Sequence, residues 1–599
     1  MIAGKVYPPF STDKVIIAVS KEIIQAGMPI LGRYLKVGFK RLEDNCIALL
    51  RVVRISTQNR KIPNPDMMLS MTGETFVERD VVKSDVTLAE CEVLTAFAKT
   101  PKGYKRVPLD TIIGSFTPAE FINNNEINEI IGRKSEEVFY LGKAVGEEFD
   151  VPFIFRPFYK LNESYHILIA GQTGSGKSTE ARKILIGYLM GDKIAKEEHE
   201  LIGKPYRQMS FLILDPVGEF SQAFAGKDLN KFGLDRYIPD VWKQAGRNDD
   251  IEILSIKNIV MDDWETLREV MMSKKRLLVS IGIKHHDNRK YATDELINFL
   301  KDKTNNDISK LADIEAQEIL DFIRQNITKI YTSKEKQADV LDIIASDMTS
   351  DFEITWLNIK RLFTKNKSKK TITEIVENLT NPKTIAKKTV ILNLSDLGWE
   401  DPFKYMVIAK IFSTLKEKGN QAYTIGNDIL NTLVVIDEAH RLVPPTVWAS
   451  DETLESYMKI AKREIVTAFR ETRKFGIGWL LISTRIANLD KEIWEHTRVR
   501  LFGFGLSTGK DAELIKEQYG RDILQVYKEK ITDPYDLMGS DAYSFMLDGP
   551  VNLLSRRVPE FYMAYSNVEE FLQKNNLAGL KTPKSIEEVG DELKEFLGE

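Results

Sequence analysis

Cysteine is nearly missing from this chain: Cys46 and Cys91 are the two it has in 599 residues, with no CxxC pair and no histidine cluster beside either. A disulfide framework and a structural zinc site are therefore set aside, and buried free thiols are the expectation. Long hydrophobic runs are missing too. None approaches the ~18 apolar residues of a membrane-spanning helix, and the opening MIAGKVYPPFSTDKV lacks the apolar core of a secretion signal. The reading is a cytoplasmic protein with no membrane partner. Charge of one sign is also lacking: 84 Lys and Arg stand against 88 Asp and Glu, a net of −4. That argues against coating by nucleic acid over the whole surface but leaves room for a basic channel, because association follows local potential. His285-His286-Asp287 has ligand chemistry without ligand spacing, so no metal site is expected there.

What is present is one dense run, YHILIAGQTGSGKSTEARKIL at 165–185. His166-Ile167-Leu168-Ile169-Ala170 reads as a buried strand, and Gly171-x-x-x-x-Gly176-Lys177-Ser178 after it satisfies the Walker A spacing. Glycines at 171, 174 and 176 let the backbone turn tightly. The N–H groups of Gly171, Gln172, Thr173, Gly174, Ser175 and Gly176 can then line a phosphate cradle, and the following helix start, with Thr179, adds its partial positive charge. Lys177 would reach the β- and γ-phosphates, and Ser178 would put its hydroxyl on Mg²⁺. ATP and Mg²⁺ are the expected cofactors.

The length calls for two to four domains at roughly 100–200 residues each. Residues 1–110 hold short alternating runs (KVIIAV, ILGRYLKVGF, CIALLRVVRI, ETFVERDVV, LAECEVLTAFAK), the pattern of a small antiparallel β-barrel. TPKGYKR at 100–106 is either a solvated hairpin tip or a phosphate-backbone contact. A connector spans 111–160, and the first part of an α/β core spans 161–258, with strands at SFLILD and IEILSI. Residues 259–386 carry apolar residues at helical spacing on a charged background, an inserted helical subdomain in which strand-like RLLVSIGI has no clear place. KNKSKK at 365–370 is a solvated loop or a DNA contact. The core resumes over 387–565 with strands in TVILNL, TLVVI, WLLIS, VRLFGFGL, YSFMLDG and VNLLSRRV. The tail, 566–599, reads as a linker and a short amphipathic helix, SIEEVGDELKEFLGE. Strands alternating with helices predict a doubly wound, mainly parallel sheet.

Asp437, after four apolar residues, suits the Mg²⁺ shell, and Glu438 beside it suits a base that orients the attacking water. Asp215, ending FLILD, competes for the metal, and Glu219 could polarise a water or sense the γ-phosphate. Thr484 and Arg485 follow the strand WLLIS as a polar sensor and a cation, or as a surface turn. Arg470 and Arg473, three apart near the end of a long helix over about 452–474, share a face; they read as arginine fingers for a neighbouring subunit or as ordinary helix-end cations.

GQTGSGKS, LDPVGEF, VVIDEAHRLVPP and ETRKFGIGWLLISTR, in that order, resemble the ATPase core of the HerA/FtsK superfamily, and the HerA branch in particular, over about 150–225 and 387–560. The barrel in front and the helical insert resemble the HerA layout. The resemblance implies a RecA-like P-loop ATPase core and a hexameric ring that threads double-stranded DNA and hydrolyses ATP between subunits. It also implies a separate nuclease of NurA type in DNA repair, or another effector in antiviral defence. Lys177 and Ser178 would hold phosphates and Mg²⁺, Asp437 and Glu438 would form the Walker B pair, and Arg470 or Arg473 would act in trans. Val217 stands where relatives often have histidine and Thr484 where they have glutamine. A nucleotide-gated oligomeric scaffold that regulates an effector is the second expectation.

Overall fold

The uninterrupted apolar runs become strands buried on both faces, which is what a sheet covered by helices on each side requires. The computed structural model describes residues 1–599 except 9–10, 60–84, 102, 132–136, 148, 162, 228–231, 273–276, 347–348, 367, 382–387, 427, 450, 536–542, 556–557 and 578–599. Its central sheet has eleven strands. In spatial order they are Ile251–Ser255, Thr389–Asn393, Ser210–Asp215, Thr432–Ile436, Ile477–Ser483, His166–Ala170, Val499–Phe502, Ser544–Asp548, Glu560–Ala564, Phe139–Ala144 and Asp150–Phe153. The first seven are parallel to one another and the rest continue antiparallel to the edge. Crossover helices Lys177–Leu201, Pro402–Gly426 and Glu452–Glu471 connect consecutive parallel strands. One strand, Ile477–Ser483, separates the phosphate-loop strand from the strand leading to Asp437.

At the N-terminus, Ile2–Tyr7, Lys14–Val19, Tyr34–Arg41, Asp44–Asn59, Asp85–Thr100 and Pro118–Phe121 form a six-stranded antiparallel barrel, closed by pairing between Lys14–Val19 and Asp85–Thr100. Gly103–Val107 extends it as a hairpin arm. Two of these elements escaped the sequence reading. Ile2–Tyr7 has one short alternation, and Pro118–Phe121, inside the stretch read as a connector, begins on a proline, which strands tolerate at their first residue. The hairpin Phe139–Ala144 and Asp150–Phe153 also lies in that stretch and forms the outer edge of the central sheet. ETFVERDVV and SIEEVGDELKEFLGE fall outside the described residues.

The barrel keeps its own apolar core, with Val15, Val37, Ala48, Leu50 and both free cysteines inside it. Burial pushes the Cys91 thiol well up. The insertion shares the core of the sheet instead. It is built from Trp264–Met272, Leu277–Ser280, His286–Lys303, Ala316–Ile330, Lys334–Ala345, Ser350–Phe363 and Ile372–Thr380. Here RLLVSIGI is not a strand: Leu277–Ser280 is helical, and Leu277, Leu278, Ile281 and Ile283 are all buried, so a run apolar on every side carried no periodicity to read. The described lysines of KNKSKK are tied down locally. Lys365 pairs with Glu374, Lys370 with Glu252 at 2.5 Å, and Lys369 donates to the Arg361 carbonyl at 3.1 Å. The described residues of VNLLSRRV likewise form no strand; Asn552 makes a single bridge to Phe153, and the next strand is Glu560–Ala564. Among the described residues no helix is long and apolar enough to cross a membrane.

A buried charge group joins the barrel to the sheet. Arg51, fully buried, donates to the Pro559 carbonyl, lies 3.6 Å from Glu92 and sits over the Phe561 ring at 5.0 Å. Beside it the Tyr34 hydroxyl donates to Glu560, whose carboxyl burial pushes upward.

Candidate active site

Parallel strands deliver their C-terminal ends to one edge, and the loops that follow them make the site there. The register fixes the neighbours: Ala170, where the phosphate loop starts, lies opposite Ser483 and Phe502. Gly174 and Gly176 adopt φ of +83° and +82°, a left-handed pair that only glycine enters without strain. Helix Lys177–Leu201 starts directly from Gly176. Ser175 is 2% exposed, and its Oγ is packed against Gly171 and Gly503 with no hydrogen-bond partner among the described residues. Lys177 Nζ donates to the Gln172 carbonyl at 2.9 Å, which folds the side chain back along the loop. Burial lowers its pKa, opposed by Glu438, Asp437 and Glu219, so these three carboxylates face the ammonium.

Strand Thr432–Ile436 carries Asp437 to the same edge, 3% exposed, where it accepts from the Glu438 N–H at 2.9 Å. Burial first, then Glu438, Glu219 and Asp215, push the Asp437 carboxyl up to about 7. A carboxyl crowded by acids in this way is a place where positive charge is missing. Glu438 sits at φ +50°, a left-handed conformation costly for a side chain with a Cβ. Its carboxylate lies 3.5 Å from His440 Nε2 and 3.8 Å from Arg441 Nε. The sequence reading quoted His440 and Arg441 without giving them a role; their place beside the acid follows from the short helix Ala439–Leu442 that Glu438 caps.

Asp215 behaves differently. Its oxygens accept from the Gly218 N–H (2.8 Å), the Ser221 N–H (2.6 Å) and the Ser221 hydroxyl (2.6 Å), so it holds the turn into helix Glu219–Phe224. Glu219 is thereby aimed at the phosphate loop, with Arg182 3.6 Å away. Thr484 directly follows Ser483 at this edge and is half-buried. Arg485 turns aside to Asp511 at 3.9 Å. Ser178 and Thr179, both half-buried, open the helix.

Arg470 and Arg473 are not here. The helix ends at Glu471 and Arg473 lies in the following 3₁₀ turn; Arg470 goes to Glu492 (3.4 Å) and Arg473 to Glu163 (3.8 Å). Arg473 precedes Ile477–Ser483, at the opposite edge of the sheet from Ser483. Seven residues of strand at about 3.3 Å each put roughly 20 Å between them. Arg498 shares that far edge, 3.1 Å from Glu163. With Tyr104 and Arg106 of the barrel's hairpin arm and Arg156, it lines a cleft of about 650 Å³.

Glycine-rich loop, buried lysine and strand-end acids define a P-loop ATPase. More particularly, residues 160–415 match the family described as Helicase HerA, central domain. No curated protein matches it. Among solved structures it is similar to VirB4 of Thermoanaerobacter pseudethanolicus (13% identity, 72% of this chain and 98% of that one, TM-score 0.36). It is also similar to the genome packaging NTPase B204 of Sulfolobus turreted icosahedral virus 2 with ATP-gammaS (10%, 67% and 98%, 0.26) and to the pCW3 conjugation coupling protein TcpA (11%, 94% and 97%, 0.26). Likeness at these values carries no inference about substrate.

The raised Asp437 carboxyl has a measurable cost. Below its unfolded value of 3.8 both states are protonated. As pH rises to about 7 the unfolded chain loses its proton first, so stability falls through that window and then levels. Asp437→Asn is expected to stabilise the nucleotide-free protein at pH 8 by on the order of a few kcal/mol and to change nothing near pH 4. Urea unfolding at the two pH values checks this.

Proposed function

We propose that this chain is an ATP-driven translocase of double-stranded DNA, assembled as a hexamer whose catalytic sites are completed between subunits. One observation carries the reading. The loop, Asp437 and Glu438 stand at one edge of the sheet while Arg470 and Arg473 stand at the other, so a cation from this pair reaches a triphosphate only from a neighbouring copy. Head-to-tail contact of unlike edges makes a ring when the rotation between copies closes.

In this reading Lys177 and the loop N–H groups hold the β- and γ-phosphates, and Glu438 takes the proton of the attacking water as it adds in line to the γ-phosphorus while the bond to the β–γ bridging oxygen breaks and ADP leaves. Ser178 and Asp437 would hold Mg²⁺, which would supply positive charge to the phosphate oxygens; the acid-crowded Asp437 suits such a load. Thr484 would sense the γ-phosphate. The arginine supplied across the interface stabilises charge on the transferring group. A separate nuclease of NurA type, or another effector, would receive the moving DNA.

Two measurements test this. Hydrolysis should rise with duplex DNA, and the protein should displace a bound roadblock. Lys177→Ala and Arg473→Ala chains, each inactive, should regain hydrolysis when mixed, since roughly a quarter of the mixed interfaces then pair an intact loop with an intact arginine. No gain on mixing would place the cation elsewhere. Indifference to DNA, with a partner's activity following nucleotide occupancy, would favour the nucleotide-gated scaffold instead.

A further inference from the structure

Two tyrosine rings rest against the phosphate loop. A Cβ built on Gly174 would lie 2.6 Å from Tyr535 Cε2 and 2.8 Å from its hydroxyl, and one on Gly176 would lie 2.9 Å from Tyr543 Cγ. Any other residue at either position would drive a ring away. Tyr535 is 69% exposed, and Asp533 accepts from its backbone N–H at 2.9 Å, so a turn holds a mostly solvated ring beside the loop. Tyr543 is half-buried and leads directly into strand Ser544–Asp548, its carbonyl accepting from the Ala564 N–H at 2.7 Å.

The strand order gives these rings their meaning. Asp437 lies two strands from the loop strand on one side, and Tyr543 enters a strand two places away on the other. A triphosphate whose γ end points at Asp437 and Glu438 must send its ribose and base the opposite way, toward the tyrosines. A planar base meeting an exposed aromatic face gains stacking, and that gain tolerates differences between bases because each has a π-face.

We propose that Tyr535 and Tyr543 form the base subsite: Tyr535 stacks on a purine ring, and Tyr543 backs the loop and closes the far side of the base. This rests on the P-loop reading above and adds the part of the ligand that the loop does not contact. It makes purine over pyrimidine preference a property of this turn.

Titration calorimetry with ATP, CTP and inorganic tripolyphosphate separates the possibilities. Tyr535→Ala should weaken ATP on the order of tenfold, narrow the ATP to CTP difference, and leave tripolyphosphate unchanged. Tyr535→Phe, which keeps the ring, should behave as the unaltered protein. In turnover the alanine variant should raise KM with kcat held. Equal losses for ATP and tripolyphosphate would show that the ring only props the loop, and unchanged ATP binding would show that it touches no base; either overturns the proposal. Lys177→Ala is the separate control: tripolyphosphate binding that survives it removes the P-loop reading itself, whatever the tyrosines do.

Discussion

Glu438→Gln is expected to leave ATP bound and to cut its hydrolysis by a factor on the order of 10²–10⁴, the usual worth of a positioned general base. The change keeps the shape of the side chain and removes the charge that accepts a proton. Glu438 is held at φ +50° with His440 and Arg441 on its carboxylate, so its position is set by the backbone and two partners rather than by the ligand. Lys177 and the loop are untouched, and loss of one acid beside Asp437 makes that carboxyl easier to ionise. Nucleotide affinity should therefore hold or improve while kcat falls. Equilibrium ATP binding beside steady-state turnover reads both quantities, and turnover that persists would assign the base to another group.

The second large effect concerns stability. Arg51→Ala should cost on the order of 3–5 kcal/mol, because it leaves buried acids without their cation. Arg51 has no exposed surface; Glu92 lies 3.6 Å away and the Pro559 carbonyl accepts from it. Glu560, fully buried and hydrogen-bonded by Tyr34, already has its carboxyl pushed up by burial and is held down by Arg51. Arg51→Met combined with Glu560→Gln removes the cation and the fully buried acid and keeps the volume, leaving only the half-buried Glu92 charged, so it should recover much of the loss. Denaturant unfolding of the two variants beside the unaltered chain decides it. An alanine variant as stable as the unaltered chain would mean that the barrel is attached by its apolar contacts alone.

What the residues disclosed in advance followed one rule: local features could be read, and features set by strand order could not. The phosphate loop was legible because strand, glycines, lysine and helix start lie in one run. Asp437 and Glu438 were legible as acids at the end of an apolar run, but the left-handed turn at Glu438 was not. Asp215 looked equivalent to Asp437 from the sequence; only the fold shows that Gly218 and Ser221 occupy its oxygens. Arg470 and Arg473 were visible as a pair, yet which edge they occupy depends on how Ile477–Ser483 pairs with His166–Ala170. Tyr535 and Tyr543 gave no signal at all, since nothing local marks a turn that packs on glycines far back in the chain.

The far-edge arginines have one more consequence. On the proposed reading a solitary copy would load fuel and keep it, because the loop and acids that would grip the phosphates lie within its own fold, while neither guanidinium of that pair would reach the bond. Control over consumption would then reside in encounter between copies, and dilution would act as a safety catch.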